Sequence, residues 1–234
     1  MKNSSLHIEN ADRLLTTPNQ IICGDSKNIL SKFKSETVDL VITDPPYLCN
    51  YIDRTGRSVA NDTNSNSKSV LDVFDEVYRV MMPNSCCISF YGWNAIHQFA
   101  KKWHDVGFKS VGHIVWAKEY ASSIGFTKHM SESAFVLIKG NPAKPQQPIS
   151  NVQEWHYTGN KSHPTEKSVS IIAPLVKAFS KAGDLVLDPF SGSGTTAVAA
   201  ALNDRDYLGI ELEEKYCRLA QNRLKGVARY KSVA

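Results

Sequence analysis

Apolar residues along this chain fall into short runs separated by polar stretches. Seven of these runs, at residues 20–23, 38–43, 86–91, 111–117, 133–138, 185–187 and 206–210, have the length and composition of strands. Between several of them the apolar positions follow a helical period. Residues 70–80 carry Val70, Leu71, Phe74, Val77, Tyr78 and Val80 at helical spacing, with Pro83 just beyond. Further helices are predicted over 94–105, 168–181, 195–202 and 213–224, the second with Pro164 near its start and Gly183 after it. Strands alternating with helices predict an α/β fold on a mostly parallel, doubly wound sheet. Two stretches follow neither period. Residues 48–68 are rich in Asn, Ser and Asp, which predicts a mobile loop. Residues 140–162 carry Pro142, Pro145 and Pro148, then Trp155, His156 and Tyr157. Loops this long in a compact fold often carry function.

Composition narrows the class. At 234 residues, 42% hydrophobic and 21% charged, the chain fits one globular domain with a substantial core. No apolar run approaches the ~18 residues that span a bilayer, and residues 1–20 are too polar for a signal peptide. A cytoplasmic protein without membrane contact is expected. Cys23, Cys49, Cys86, Cys87 and Cys217 form no CxxC pair, which predicts reduced, buried thiols and no metal site. The net charge of +4 permits a polyanionic partner without requiring one.

Two motifs carry chemistry. Near the C-terminus, Leu185-Val186-Leu187-Asp188 runs into Pro189-Phe190-Ser191-Gly192-Ser193-Gly194-Thr195-Thr196, and an alanine-rich helix follows. Glycines let such a turn approach a ligand closely. Gly192-x-Gly194-x-x-Ala197 satisfies the dinucleotide fingerprint, and Glu211 ends the next strand about twenty residues on, where a carboxylate can accept both ribose hydroxyls of a nucleoside. A turn that merely joins a strand to a helix would need no acidic strand end. A nicotinamide domain would continue through more βαβ units, whereas one helix follows Glu211. The loop also lacks the GK[ST] of a P-loop.

Near the N-terminus, the run at 38–43 ends in Asp44-Pro45-Pro46-Tyr47, at the strand end where open α/β sheets place ligands. An exocyclic amine such as N6 of adenine is a poor nucleophile, because its lone pair is delocalised into the ring. The Asp44 carboxylate can accept one amino hydrogen and the Pro45 carbonyl the other, which pulls the nitrogen towards tetrahedral geometry and localises the lone pair. Proline fixes the backbone that aims the carbonyl. Tyr47 offers a ring on which an extruded base can stack, for about 1–3 kcal/mol. A duplex buries the reacting atom, so the base must leave its stack. The bland alternative is a strand followed by a Pro-Pro turn.

Two segments support these motifs. Ile22-Cys23-Gly24-Asp25 ends a strand in an acidic residue, which equally suits a helix cap. Ser162-His163-Pro164-Thr165-Glu166-Lys167 precedes a helix start, a natural carboxylate site, although an ordinary capped helix would look similar.

Together, the motifs and their order resemble the β class of S-adenosylmethionine-dependent DNA amino-methyltransferases, over roughly residues 20–224. The resemblance implies a Rossmann-like methyltransferase fold with a seven-stranded, mostly parallel, circularly permuted sheet. The chain supplies the family's strands three to seven first, then one and two, with nothing missing. A single domain is implied, with a catalytic half at about 20–139, a short target-recognition segment at about 140–161 and a cofactor half at about 162–225. Asp44, Pro45, Pro46 and Tyr47 become the catalytic tetrapeptide. Asp188, Phe190, Ser191, Gly192, Gly194, Thr195 and Thr196 shape the S-adenosylmethionine pocket, Glu211 holds the ribose, and Asp25 accepts from the cofactor adenine. His163, Thr165 and Lys167 match the family's HPTxKP motif, which covers the methionine end, with Ser168 where the family has Pro.

The implied reaction is methylation of adenine N6 in double-stranded DNA on a flipped base. The family's cytosine-N4 members more often begin the tetrapeptide with Ser, so Asp44 favours adenine. C5-cytosine chemistry would need a Pro-Cys nucleophile that the chain lacks. An unpaired RNA base is an alternative substrate, and a non-catalytic nucleic-acid-binding relative an alternative class. Homodimers are common in the family, but no residue here marks one. Residues 48–68 and 140–161 are expected to contact DNA. Trp116 and Phe135 are expected in the core, and Lys118, Lys128 and Lys139 as solvated surface charges, with contact to phosphates as the alternative. A solitary or phage-type enzyme of the bacterial cytoplasm is implied.

Overall fold

The computed structural model describes residues 17–53, 56–159 and 164–233. Its strands are β1 (Gln20–Cys23), β2 (Val38–Thr43), β3 (Met81–Phe90), β4 (Lys109–Ala117), β5 (Ser123–Ile124), β6 (Lys128–His129), β7 (Ser131–Lys139), β8 (Val152–Glu154), β9 (Leu185–Asp188) and β10 (Asp206–Glu211). Its α-helices are α1 (Ser26–Leu30), α2 (Ser67–Leu71), α3 (Val73–Val80), α4 (Ile96–Val106), α5 (Val169–Phe179), α6 (Thr195–Leu202) and α7 (Glu214–Val233).

Eight strands form one sheet in the order β1-β10-β9-β2-β3-β7-β4-β8, while β5 and β6 pair as a separate hairpin. From β1 to β3 all neighbours are parallel; β7 is antiparallel to both β3 and β4, and β8 is parallel to β4. The late strands β9 and β10 insert between β1 and β2, which is the circularly permuted Rossmann-like sheet. β8 adds an eighth strand at the edge.

The central strands are buried on both faces, as parallel strands must be. Successive residues alternate between two cores. Val41, Cys87 and Leu187 face Leu30, Phe74, Val77, Phe99 and Trp103 on one side. Leu40, Ile42, Ile88 and Val186 face Ile171, Leu175, Ala199 and Ala200 on the other. Helix α6 is buried from Thr195 to Ala200; its small side chains let it pack between α5 and α7.

Some elements differ from the sequence expectation. The helix expected over 70–80 breaks at Asp72, whose carboxylate is drawn to Lys27 at 3.0 Å and Lys102 at 3.5 Å. The last helix continues beyond the expected end at residue 224 to Val233, with Val227 packed beside Leu224 against Ile21 and Val198. Helix α1 and strand β8 are too short for a period to show. The described part of 48–68 is folded back on itself: buried Asp62 accepts from the Tyr51 amide at 2.6 Å and the Cys49 amide at 3.3 Å. Cys87 and Cys217 are buried, but Cys23 and Cys49 are exposed, Cys23 at the end of edge strand β1 and Cys49 in the loop beyond β2. No helix among the described residues is long and apolar enough to cross a membrane.

The fold positions the site through one topological fact. β9 and β2 are neighbours, but β9 leads through α6 to β10 on one side, whereas β2 leads through α2 and α3 to β3 on the other. At such a switch point the connections diverge and open a crevice beyond the carboxyl ends of the strands. Asp44 follows β2 and Asp188 ends β9, so both motifs border it.

Candidate active site

A cleft of about 1460 Å³ opens at this switch point. Single-ligand pockets run about 300–1,000 Å³, so it has room for a nucleoside cofactor and a second flat group. Its lining runs from Asp25 and Glu211, through the Gly-rich loop, to the Asp44 tetrapeptide.

At one end the loop from β9 to α6 is held by its backbone. The Ser191 amide donates to Ile210 O at 2.8 Å and the Gly194 amide to Ser191 O at 2.8 Å. Gly192 and Gly194 have φ of 51° and 81°, in the left-handed region. A Cβ on Gly194 would lie 2.6 Å from Ala220 Cβ and 3.2 Å from Ala220 Cα on α7. Gly194→Ala is therefore expected to cost about 2–4 kcal/mol, from left-handed strain and overpacking against a helix backbone. A urea midpoint left unchanged would rule this out.

Glu211 accepts from the Gly192 amide at 2.8 Å and the Glu213 amide at 2.7 Å, one on each oxygen. Burial raises its carboxyl above the ordinary value against those two donors. Each oxygen keeps a lone pair for a further donor. Ser191 Oγ is buried without a hydrogen-bond partner, and the Ser26 hydroxyl reaches the Pro189 carbonyl. The open lone pairs of Glu211 and the unpaired Ser191 hydroxyl, along a Gly-lined turn, fit a hydroxylated, nucleoside-bearing ligand. Asp25 caps α1, its Oδ1 accepting from the Asn28 amide at 2.9 Å, and also lines the cleft. Asp188 accepts from the Phe190 amide at 3.1 Å. Burial pushes its carboxyl up to about 7, against the Thr196 hydroxyl and the Phe190 amide. Thr195 and Thr196 are buried at the start of α6.

At the other end lies a buried charge network. Asp44 Oδ1 accepts from the Tyr47 hydroxyl at 2.8 Å and Asp44 Oδ2 from Lys167 Nζ at 2.5 Å. The Tyr47 hydroxyl also reaches Glu132 Oε2 at 3.2 Å, and Lys118 Nζ binds Glu132 Oε1 at 2.5 Å. Burial holds the Asp44 carboxyl above its usual range, with Lys167 and the Tyr47 hydroxyl opposing. Burial works to lower Lys167, but Asp44 and Glu132 outweigh it and leave the ammonium raised. For Glu132 burial acts upward, and Lys167 and Lys118 bring the carboxyl below the ordinary value. The arrangement sets two carboxylates, Asp44 and Glu132, against two basic side chains, Lys167 and Lys118. A carboxylate offers about four lone-pair sites, so Asp44 can accept an amino hydrogen while keeping Tyr47 and Lys167. Phe90 and Trp155 wall the network, with Lys167 Nζ 5.0 Å and 5.9 Å from their ring centres.

The sequence motifs thus meet in one cleft. Thr165 lines it, while His163 lies outside the described residues. Lys167, expected at the methionine end, has its ammonium on Asp44 and, at 3.3 Å, on the Tyr47 hydroxyl. Helix α5 begins only at Val169, capped by Ser168 Oγ accepting from the Ser170 amide at 3.2 Å, so Pro164–Lys167 is a turn before the helix and not its first turn.

Lys118 and Lys139 are not solvated surface charges. Lys118 is buried on Glu132, and Lys139 Nζ caps the end of α3 on Tyr78 O at 3.0 Å and Met81 O at 2.7 Å. Sequence reasoning also passed over Arg223. Its Nη1 binds Ser193 O at 2.8 Å and lies 3.3 Å from Glu166 Oε1, tying the Gly loop to the Lys167 turn. A basic residue on the buried side of the last helix was the only sequence signal.

A Gly-rich loop after β9 and an Asp-Pro-Pro-Tyr tetrapeptide after β2, on one edge of a permuted Rossmann-like sheet, define an amino-methyltransferase of the β class. The comparisons agree. The N6/N4 family model described as DNA methylase matches residues 38–222. "Putative methylase YubD" of Escherichia coli (strain K12) is 42% identical over 210 residues, covering 90% of this chain and 92% of its own. The crystal structure of M1.HpyAVI superposes with a TM-score of 0.68 at 26% identity, over 88% of this chain and 98% of that one. PvuII DNA methyltransferase, described as cytosine-N4-specific, shares the fold at a TM-score of 0.69 and 17% identity, over 91% and 92% of the two chains. The chain belongs to the DNA methylase family, the S-adenosylmethionine-dependent amino-methyltransferases.

Proposed function

We propose that this protein methylates adenine N6 in double-stranded DNA, on a base turned out of the helix into the cleft. The observation that carries the reading is the Asp44 carboxylate, which lines the cleft at the switch point with Lys167 on one oxygen and Tyr47 on the other, and has the Pro45 carbonyl beside it in the chain. Aspartate in place of serine at the head of the tetrapeptide supports adenine over cytosine. Asp44 and Pro45 each accept one amino hydrogen, and Tyr47 supports the ring of the base. Ionised Asp44 also offsets the positive charge that grows on the amino nitrogen.

S-adenosylmethionine, when bound, supplies an electrophilic methyl on a sulfonium. Glu211 would take its ribose hydroxyls, Asp25 its adenine amine, and the Gly192–Thr196 backbone its flank. Thr165 and Asp188 would face the methionine end. M1.HpyAVI has been crystallised with this cofactor, in keeping with that assignment.

Asp188 gives the site a pH signature. Its carboxyl stands near 7, and Asp44 and Lys167 are the charged groups that face it. Above that pH it is ionised and ready to meet a cationic ligand; below it a proton must first leave. Affinity for the cationic cofactor should be full above about pH 7 and fall by up to ~tenfold per unit below it. Calorimetric titration at two pH values checks this, and Asp188→Asn should flatten the profile. A flat wild-type profile would place Asp188 away from the cationic groups.

The test of function is methyl transfer to unmethylated genomic DNA, with total RNA in parallel, read by nucleoside mass spectrometry. N6-methyladenine in DNA is the expected product. N4-methylcytosine would overturn the base assignment, and product in RNA alone the substrate.

A further inference from the structure

The β5–β6 hairpin belongs to none of the motifs above. Residues 121–130 contain Lys128 and no carboxylate. At the tip, Phe126 is wholly exposed at 112% and Ile124 at 75%. The hairpin is nevertheless held firmly. The Gly125 amide donates to Thr127 O at 3.1 Å, Ser122 to His129 O at 2.8 Å, and Lys118 to Met130 O at 2.8 Å. Exposed Trp93 leans on its base, with its ring centre 6.4 Å from that of His129. Phe126 and Ile124 line the same cleft as Asp44 and Tyr47.

A phenyl ring at a braced tip gains nothing for the fold and offers nothing to a phosphate. It matches the face of a base. Proteins that open a duplex insert apolar side chains between base steps, and a base drawn into this cleft would leave a gap in its stack. We propose that the hairpin is the wedge that fills this gap: Phe126 stacks where the target base stood, Ile124 backs it, and Lys128 meets a neighbouring phosphate. The continuity of the tip with the Asp44 cleft and the absence of negative charge in the hairpin both suit a duplex. This inference rests on the reading of the site as a methyltransferase of flipped bases.

The experiment compares wild type, Phe126→Ala and Phe126→Trp on native and heat-denatured genomic DNA, with kcat/KM read from methylated nucleoside. A wedge matters only where a duplex must be opened. Phe126→Ala should lower kcat/KM on native DNA about 5- to 150-fold, the worth of one stacked ring, and leave denatured DNA and the melting temperature unchanged. Phe126→Trp should keep duplex activity, and its added indole should become shielded from acrylamide when native DNA saturates the protein. Equal losses on both DNAs, no loss on native DNA, or an indole still open to acrylamide would each overturn the wedge. Equal losses together with a dimer-to-monomer shift in sedimentation would assign the tip to a second copy of the chain. Wild type that methylates neither DNA would remove the DNA-methylating reading on which the wedge rests.

Discussion

Asp44→Asn should reduce methyl transfer by ~10²–10⁴-fold, the usual range for a lost acid–base or charge-stabilising group, while the S-adenosylmethionine dissociation constant stays as in wild type. The amide keeps the shape of the side chain and can still accept from the Tyr47 hydroxyl, bonded at 2.8 Å in the wild type. It loses the charge that draws on the amino hydrogen and offsets positive charge on nitrogen. It also leaves Lys167 with only Glu132 and Asp188 as the acidic groups acting on it. Asp44→Ala should lose as much activity and also some stability, because the Lys167 ammonium is buried. Stopped turnover with intact cofactor calorimetry would separate Asp44 from the Glu211 end of the cleft. An Asp44→Asn enzyme that still turned over at the wild-type rate would remove Asp44 from the chemistry.

Glu132→Ala should be among the most destabilising single changes in the cleft, at about 3–5 kcal/mol, because it strands buried Lys118 without its counter-ion. The pair is well shielded, with side chains 4% and 16% exposed, so solvent cannot take over the role of the carboxylate. Glu132→Gln should cost less and show the functional part. It keeps an acceptor for the Tyr47 hydroxyl but removes the charge that helps hold Lys167 protonated and turned towards Asp44. Activity should fall with cofactor affinity preserved, and the alkaline limb of the rate profile should move to lower pH, because Lys167 then loses its proton more easily. Urea denaturation and a kcat–pH profile read the two effects separately. An unmoved alkaline limb would reduce Glu132 to a packing residue.

Both effects belong to groups that differ in how openly the sequence displays them. Asp44 sits in a contiguous tetrapeptide behind a six-residue apolar strand, so residue type and position speak together. The same holds for the turn from Asp188 to Thr196 and for Glu211, where a strand, glycines and an acidic strand end follow in order. Lys118 and Glu132 are single charges at the ends of apolar runs, a pattern shared with any solvated strand end. They meet because β4 and β7 pair antiparallel with Trp116 opposite Glu132. The β5–β6 hairpin shows no alternation at two residues per strand, and its exposed ring is not distinguishable from a core phenylalanine until the chain is folded.

The sequence by itself determined the elements that are long or strongly apolar, the permuted order of the two halves, and the chemistry of each contiguous motif. Local periodicity and backbone requirements of glycine and proline are written in neighbouring residues, and neighbours are what a sequence shows. The tertiary structure alone decided which charges are buried together. Lys167 reaches Asp44 across 123 positions and Arg223 ties the Gly loop to Glu166. A charge acquires its partner, its shifted pKa and its role only when the switch point of the sheet removes it from water.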